Sequence, residues 1–241
     1  MTRATTLTVR RLSTRGGRAR GTRAAATVER ILDGALELLN REGGAAVTTN
    51  HIAAHLGMSP GNLYYHFRHR EEIVRAIFPR IEAEGLAATA PPAGAELTAH
   101  EFGERHLRGL HTLWRFRFFF RDLNQLLARD AALAASFRDY ERRLHAQYRA
   151  IFAVLIAQGN MRPPDPPEDL DRLVAASILV WTSWIPHLTA LRSRPAIRRG
   201  DVVEGALHSL LVVAPLLEPA FAAQTRAVIE GYRRAPTRAG G

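Results

Sequence analysis

Residues 48–67 read Thr-Thr-Asn-His-Ile-Ala-Ala-His-Leu-Gly-Met-Ser-Pro-Gly-Asn-Leu-Tyr-Tyr-His-Phe, and the order of caps, apolar positions and glycine in this stretch decides the fold. Thr48 and Thr49 stand just before Ile52, Ala53 and Leu56, so a hydroxyl can cap a short helix whose inner face is those three residues. Gly57 ends that helix. Ser59 is placed to cap the next one, with Pro60 at the first helical position, where a missing N–H costs little. Leu63 and Phe67, four residues apart, give the second helix an inward face. The product is two short helices joined by a tight turn. Upstream, Val28, Ile31, Leu32, Ala35, Leu36 and Leu39 recur at helical spacing and define the stripe of a longer supporting helix.

Outward from this module the punctuation stays regular, with breaks at Gly43-Gly44, Pro91-Pro92, Pro163 to Pro167 and Arg194-Pro195. No stretch sustains the period-2 alternation of a half-buried strand. The spacing predicts an all-α protein: an N-terminal helix-turn-helix module that, with a connecting helix at about 70–86, spans 27–86, and a C-terminal helical domain over 98–234. Leu173 to Leu191 contains no Asp, Glu or Arg and is long enough to span a membrane. Thr182, Ser183, Pro186, His187 and Thr189 make its second half costly in hydrocarbon, so the expectation is a buried bundle helix, no membrane and a cytoplasmic protein.

Composition narrows the chemistry. The chain has 241 residues, 46% of them hydrophobic and 23% charged, which is globular composition with ample length for a core. It has no cysteine, which excludes disulfides, thiolate metal sites and cysteine nucleophiles. All 33 basic residues are arginine, and the formal charge is +10. Seven of those arginines, from Arg3 to Arg23, precede the first acidic residue, Glu29. Residues 1–26 lack apolar periodicity and read as a disordered basic arm, either a tracker of nucleic-acid phosphates or a solvated tail. The arm also has the composition of a transit peptide, and Arg10-Arg11 suggests a twin-arginine signal, but no apolar stretch follows.

The run 48–67, followed by Arg70-Glu71-Glu72-Ile73, closely resembles the DNA-binding domain of the tetracycline-repressor (TetR) family over about residues 27–86. The resemblance implies a homodimer that sets its second short helix in successive major grooves of an inverted-repeat, double-stranded operator. It also implies DNA contacts at Thr49, Asn50, Pro60, Gly61, Asn62, Tyr64, Tyr65, His66 and Arg70. Residue chemistry agrees: a carboxamide pairs with an adenine edge, and tyrosine and arginine reach phosphates.

Rival readings remain. Gly57-Met58-Ser59-Pro60-Gly61 matches G-x-S-x-G, the nucleophile elbow of serine hydrolases, though no apolar strand precedes it. His51 and His55 have metal-ligand spacing, but Ile52 stands where H-E-x-x-H needs glutamate. The expectation is accordingly no enzyme, no metal and no cofactor. An architectural DNA-binding protein without an effector is the other alternative. Against it stands the larger domain, where Leu107, Leu110, His111, Trp114 and Phe118 form one stripe and five of the eighteen aromatics lie between 114 and 120. His111, Trp114, Phe118, Trp181 and His187 are the candidate lining of a site for a small apolar or aromatic effector, with plain core packing the alternative for each. Two further stripes, Leu173 to Leu188 and Val203 to Leu217, carry more apolar surface than one subunit can cover and are the expected dimer interface.

Overall fold

The computed structural model describes residues 15–44, 46–92, 94, 96–191 and 198–234. Among them are eleven α-helices and no strand: α1 (Arg15–Glu42), α2 (Thr49–His55), α3 (Pro60–His66), α4 (Arg70–Thr89), α5 (Ala99–Arg115), α6 (Arg117–Arg121), α7 (Leu123–Arg129), α8 (Ala131–Ala157), α9 (Asp169–Leu191), α10 (Arg199–Val213) and α11 (Pro219–Arg234). The first three form the short-helix module, α5 to α11 the body, and α4 joins them. One continuous apolar cluster runs from Ile31 to Ile229.

The short helices form for the reasons their sequence supplies. The Thr48 hydroxyl accepts the His51 N–H at 3.3 Å, and the Ser59 hydroxyl accepts the Asn62 N–H at 3.2 Å, satisfying orphan donors at both helix starts. Gly57 has φ +62°, the left-handed conformation that an L side chain resists, and this turns α2 into α3. Ile52, Ala53 and Leu63 are buried in one apolar cluster with α1, which contributes Ile31, Ala35 and Leu39 with no exposure at all.

Three expectations are corrected. The helix α1 begins at Arg15, not near 27, so residues 15–26 are helical and not part of a disordered arm; residues 1–14 lie outside the described residues. Arginine and alanine propagate a helix well once the Ile31 stripe anchors it. The stripe Leu107 to Phe118 does not lie on one helix. The chain breaks at Phe116 (φ −108°, ψ 31°), because Phe116, Phe118, Phe119 and Phe120 are all buried and a single helix cannot turn so many near-consecutive positions inward. Finally, α9 is not buried all round. It meets the length and composition of a membrane span, with a mean hydropathy of 1.4 in its most apolar window, yet Val174, Ser177, Ile178, Trp181 and Ile185 pack onto α5, α6, α8 and α10. Its other side, including Leu179 at 63% exposure, is bare. Leu210 on α10 is core, whereas Leu211 beside it is exposed.

His106 on α5 is fully enclosed between Phe102 and Trp181, and its Nδ1 lies 2.8 Å from the Phe102 carbonyl. Burial pushes its pKa down to about 4, against a smaller upward pull from that carbonyl. The unfolded chain therefore binds a proton that the folded chain refuses between about pH 6.5 and 4. Stability should fall as pH drops through that window, by up to about 1.4 kcal/mol per pH unit from this group. Thermal denaturation of the wild type and of His106→Leu between pH 7.5 and 5, roughly the flank of that window, should show a shallower decline in the variant.

Candidate DNA interface and ligand cavity

The outer face of α3 carries polar and aromatic groups with little to hold them. Tyr65 is 82% exposed and meets only the edge of the His66 ring, at 5.1 Å between centroids. Tyr64 is partly exposed; its hydroxyl accepts from the Thr49 hydroxyl at 3.3 Å and donates to Asn50 Oδ1 at 3.4 Å. The structure thus joins Thr49, Asn50 and Tyr64 across the turn, and Pro60, Gly61 and Asn62 stand exposed at the start of α3. A Cβ on Gly61 would meet nothing within 4 Å, so the protein's own packing does not require glycine there.

Arg70 departs from the expected arrangement. Its side chain is only 12% exposed, donates to the carbonyls of Gly44 and Val47, and pairs with Glu71 at 3.3 Å. It braces the α1–α2 turn and does not project beside α3. The two rival motifs are likewise absorbed by structure. Ser59 is a helix cap between two helices, and His51 and His55 face the Ala46 carbonyl (3.1 Å) and Glu37 (3.4 Å).

The body holds a small, half-open cavity. Its walls come from Gly85 and Thr89 of α4, Gly109, Thr112 and Leu113 of α5, and Phe120 of α6. Tyr140, Leu144 and Tyr148 of α8 and Ile178, Trp181 and Thr182 of α9 complete it. Two glycines create the close approaches: a Cβ on Gly85 would collide with the Tyr140 hydroxyl, and one on Gly109 would lie 2.5 Å from the Trp181 ring. Of the five residues expected to line a ligand site, only Trp181 lines this cavity. Phe118 is wholly enclosed in the core. His111 and Trp114 border a separate open cleft with Glu84 and Arg108. There His111 Nε2 meets the Tyr232 hydroxyl at 2.6 Å and the Arg117 guanidinium lies 3.8 Å over Trp114. His187 is exposed beside Trp184. The break at Phe116 separates Phe118 from α5, whereas His111 and Trp114 lie on α5 itself but face the cleft, away from the side that carries Gly109 and Leu113. Tyr140, Tyr148 and the glycines escaped sequence reading. Their one signal was glycine in the interior of otherwise helical runs, which marks close backbone approach.

The cavity walls connect to the short-helix module. The Asn40 carboxamide, on α1, donates to the Arg115 carbonyl at 2.7 Å and accepts the Phe118 N–H at 3.1 Å, occupying the α5–α6 break. Asp122, which follows α6, accepts the Gly44 N–H at 2.9 Å.

An exposed tyrosine-bearing helix after a tight turn, set on a helical body, defines a helix-turn-helix DNA-binding protein. Residues 67–225 match the family described as TetR, bacterial transcriptional repressor, and residues 31–77 match bacterial regulatory proteins of the tetR family. A TetR-family transcriptional regulator from Marinobacter aquaeolei VT8 is 33% identical, with 86% of this chain and 98% of that chain covered and a TM-score of 0.75. A tetR-family regulatory protein from Rhodococcus RHA1 (21% identity, 78% and 96% covered, TM-score 0.58) and GusR of Salmonella enterica (17%, 87% and 96%, 0.54) share the fold. The chain belongs to the TetR family of transcriptional regulators, DNA-binding proteins that are typically ligand-responsive repressors.

The two roles of the interface residues separate experimentally. Arg70→Ala leaves two carbonyls without their charged donor and should lower unfolding free energy by about 1–3 kcal/mol. Tyr65→Ala, which removes an exposed ring, should stay within about 0.5 kcal/mol of wild type. Urea denaturation of both variants measures the difference.

Proposed function

We propose that this chain is a cytoplasmic, homodimeric repressor that binds an inverted-repeat operator and is released by a small apolar effector held in the cavity of its helical body. The observation that carries the reading is the double duty of α4. At one end Arg70 braces the turn leading into α2; near the other, Gly85 and Thr89 form a cavity wall. A molecule that displaces the second end therefore acts on a helix that positions the first. The path through Asn40 and Asp122 supplies a second connection, from α6 back to α1. A ligand shifts DNA affinity only if it prefers one geometry over another, and a coupling of about 1–3 kcal/mol gives roughly 5- to 150-fold release.

Thr49, Asn50, Pro60, Gly61, Asn62, Tyr64, Tyr65 and His66 form the DNA face in this reading, with Arg70 supporting it from behind. The dimer forms through the bare outer side of α9, around Leu179, and the adjoining surface of α10, around Leu211. Such exposed apolar positions on two adjacent helices are what a second copy would bury, in a four-helix interface.

Tyr65→Ala and Asn62→Ala should each weaken binding to the selected operator by about 1–3 kcal/mol, measured by fluorescence anisotropy against salt. Unchanged affinity in both, with wild-type helicity, would remove the recognition role of α3. Sedimentation should give a dimer for the wild type and a monomer for the Leu179→Glu, Leu211→Glu double variant. Leu210→Glu, by contrast, should unfold the body, because it would bury an unpaired carboxylate.

A further inference from the structure

The polar groups of the cavity are uncharged and divide into acceptors and donors. Each lining threonine has already spent its single proton: Thr89 on either the Gly85 carbonyl or Gln147 Oε1, Thr112 on the Arg108 carbonyl, and Thr182 on the Ile178 carbonyl. These hydroxyls offer only lone pairs, directed by their own helices. The remaining polar groups each have a proton to donate. Trp181 is 7% exposed, and its Nε1–H is buried with no hydrogen-bond partner among the described residues. Tyr140 and Tyr148 present phenols, and burial pushes the pKa of both upward, so they remain protonated at any physiological pH. No Asp, Glu, Arg or His is among the lining residues. The imidazole of His106 lies behind the Trp181 ring with 5.6 Å between centroids and has its Nδ1 at a carbonyl.

A buried donor without a partner is unfavourable, and a site built around one discriminates for a molecule that supplies the acceptor. An anion would lose its hydration and find no cation in the lining, and a cation would find no carboxylate there, since Glu141, which acts on both phenols, stands outside the wall. We propose that the cavity selects an uncharged, predominantly apolar molecule carrying a carbonyl acceptor, with the Trp181 indole N–H as its anchoring donor and the Tyr140 and Tyr148 hydroxyls as flanking donors. The remaining wall, Leu113, Phe120, Leu144 and Ile178, takes the hydrocarbon or aromatic part. This deepens the reading of the cavity as the effector site and rests on it.

The test uses four probes of similar shape on the full-length protein: benzylacetone, butylbenzene, hydrocinnamate and phenylpropylamine, which are respectively a neutral carbonyl compound, a hydrocarbon, an anion and a cation at pH 7. Calorimetric titration should show benzylacetone binding at least about tenfold more tightly than butylbenzene, with no binding of the two ions. Trp181→Phe should keep the butylbenzene affinity and abolish the advantage of the ketone. If that variant loses helicity, Tyr140→Phe and Tyr148→Phe carry the same comparison and should each narrow the gap. Equal affinity for ketone and hydrocarbon, binding of either ion as tight as the ketone, or no binding by any probe would overturn the proposal. Operator affinity at saturating benzylacetone is read separately: selective binding without operator release removes the effector role and leaves the selectivity standing.

Discussion

The burial of α4 on more than one side is the constraint on which the rest of the molecule depends. Ile73, Ile77 and Ile81 have no exposure, and Val74 and Phe78 have almost none. The helix packs against α1 on the side of the DNA module and against α5 and α8 in the body. Phe78 sits in an aromatic block with Phe119, Phe137 and Tyr140, at centroid separations of 5.5–6.3 Å. Such a helix is no passive linker. Close-packed interiors do not deform continuously, so a displacement of α4 must be shared by both of its neighbours.

Polar contacts make that sharing directional. Arg80 on α4 pairs with Asp33 at 2.7 Å and with Glu29, locking the helix to α1, while Arg143 of α8 pairs with Glu82. These pairs are partly exposed, and each is worth little by itself. Asn40 and Asp122 differ, because they satisfy backbone groups at a helix break and at a turn, where no helical partner exists. The break at Phe116 thus has two consequences. It lets consecutive phenylalanines enter the core, and it leaves an unpaired peptide edge that α1 closes.

Among the described residues, three features stand out that intramolecular packing does not account for. Tyr65 projects from α3, Leu179 and Leu211 project from α9 and α10, and the Trp181 indole N–H is buried without a hydrogen-bond partner among the described residues. An exposed aromatic ring, an exposed apolar helix face and an unpaired buried donor are each unfavourable in an isolated subunit. A DNA-binding regulator of this family has use for all three.

What the sequence by itself determined is local. The caps Thr48 and Ser59, the left-handed Gly57 and the Ile31 stripe specify α1 to α3 through neighbours a few residues away, and the same residues carry the family resemblance. The all-α class followed likewise from short-range periodicity. The cavity was not legible, because its walls come from five helices spread between Gly85 and Thr182, and no spacing rule relates residues so far apart. Periodicity placed Phe118 and Trp114 together on a helix that tertiary packing breaks, and it could not tell Leu210, buried against its own chain, from Leu211, left exposed. Arg70 was read as a DNA contact from its motif position, yet only the folded chain brings the Gly44 and Val47 carbonyls within its reach. The difference is physical: capping and amphipathicity act over one or two turns of chain, whereas a cavity, a brace and a free surface exist only once distant helices have excluded water from one another.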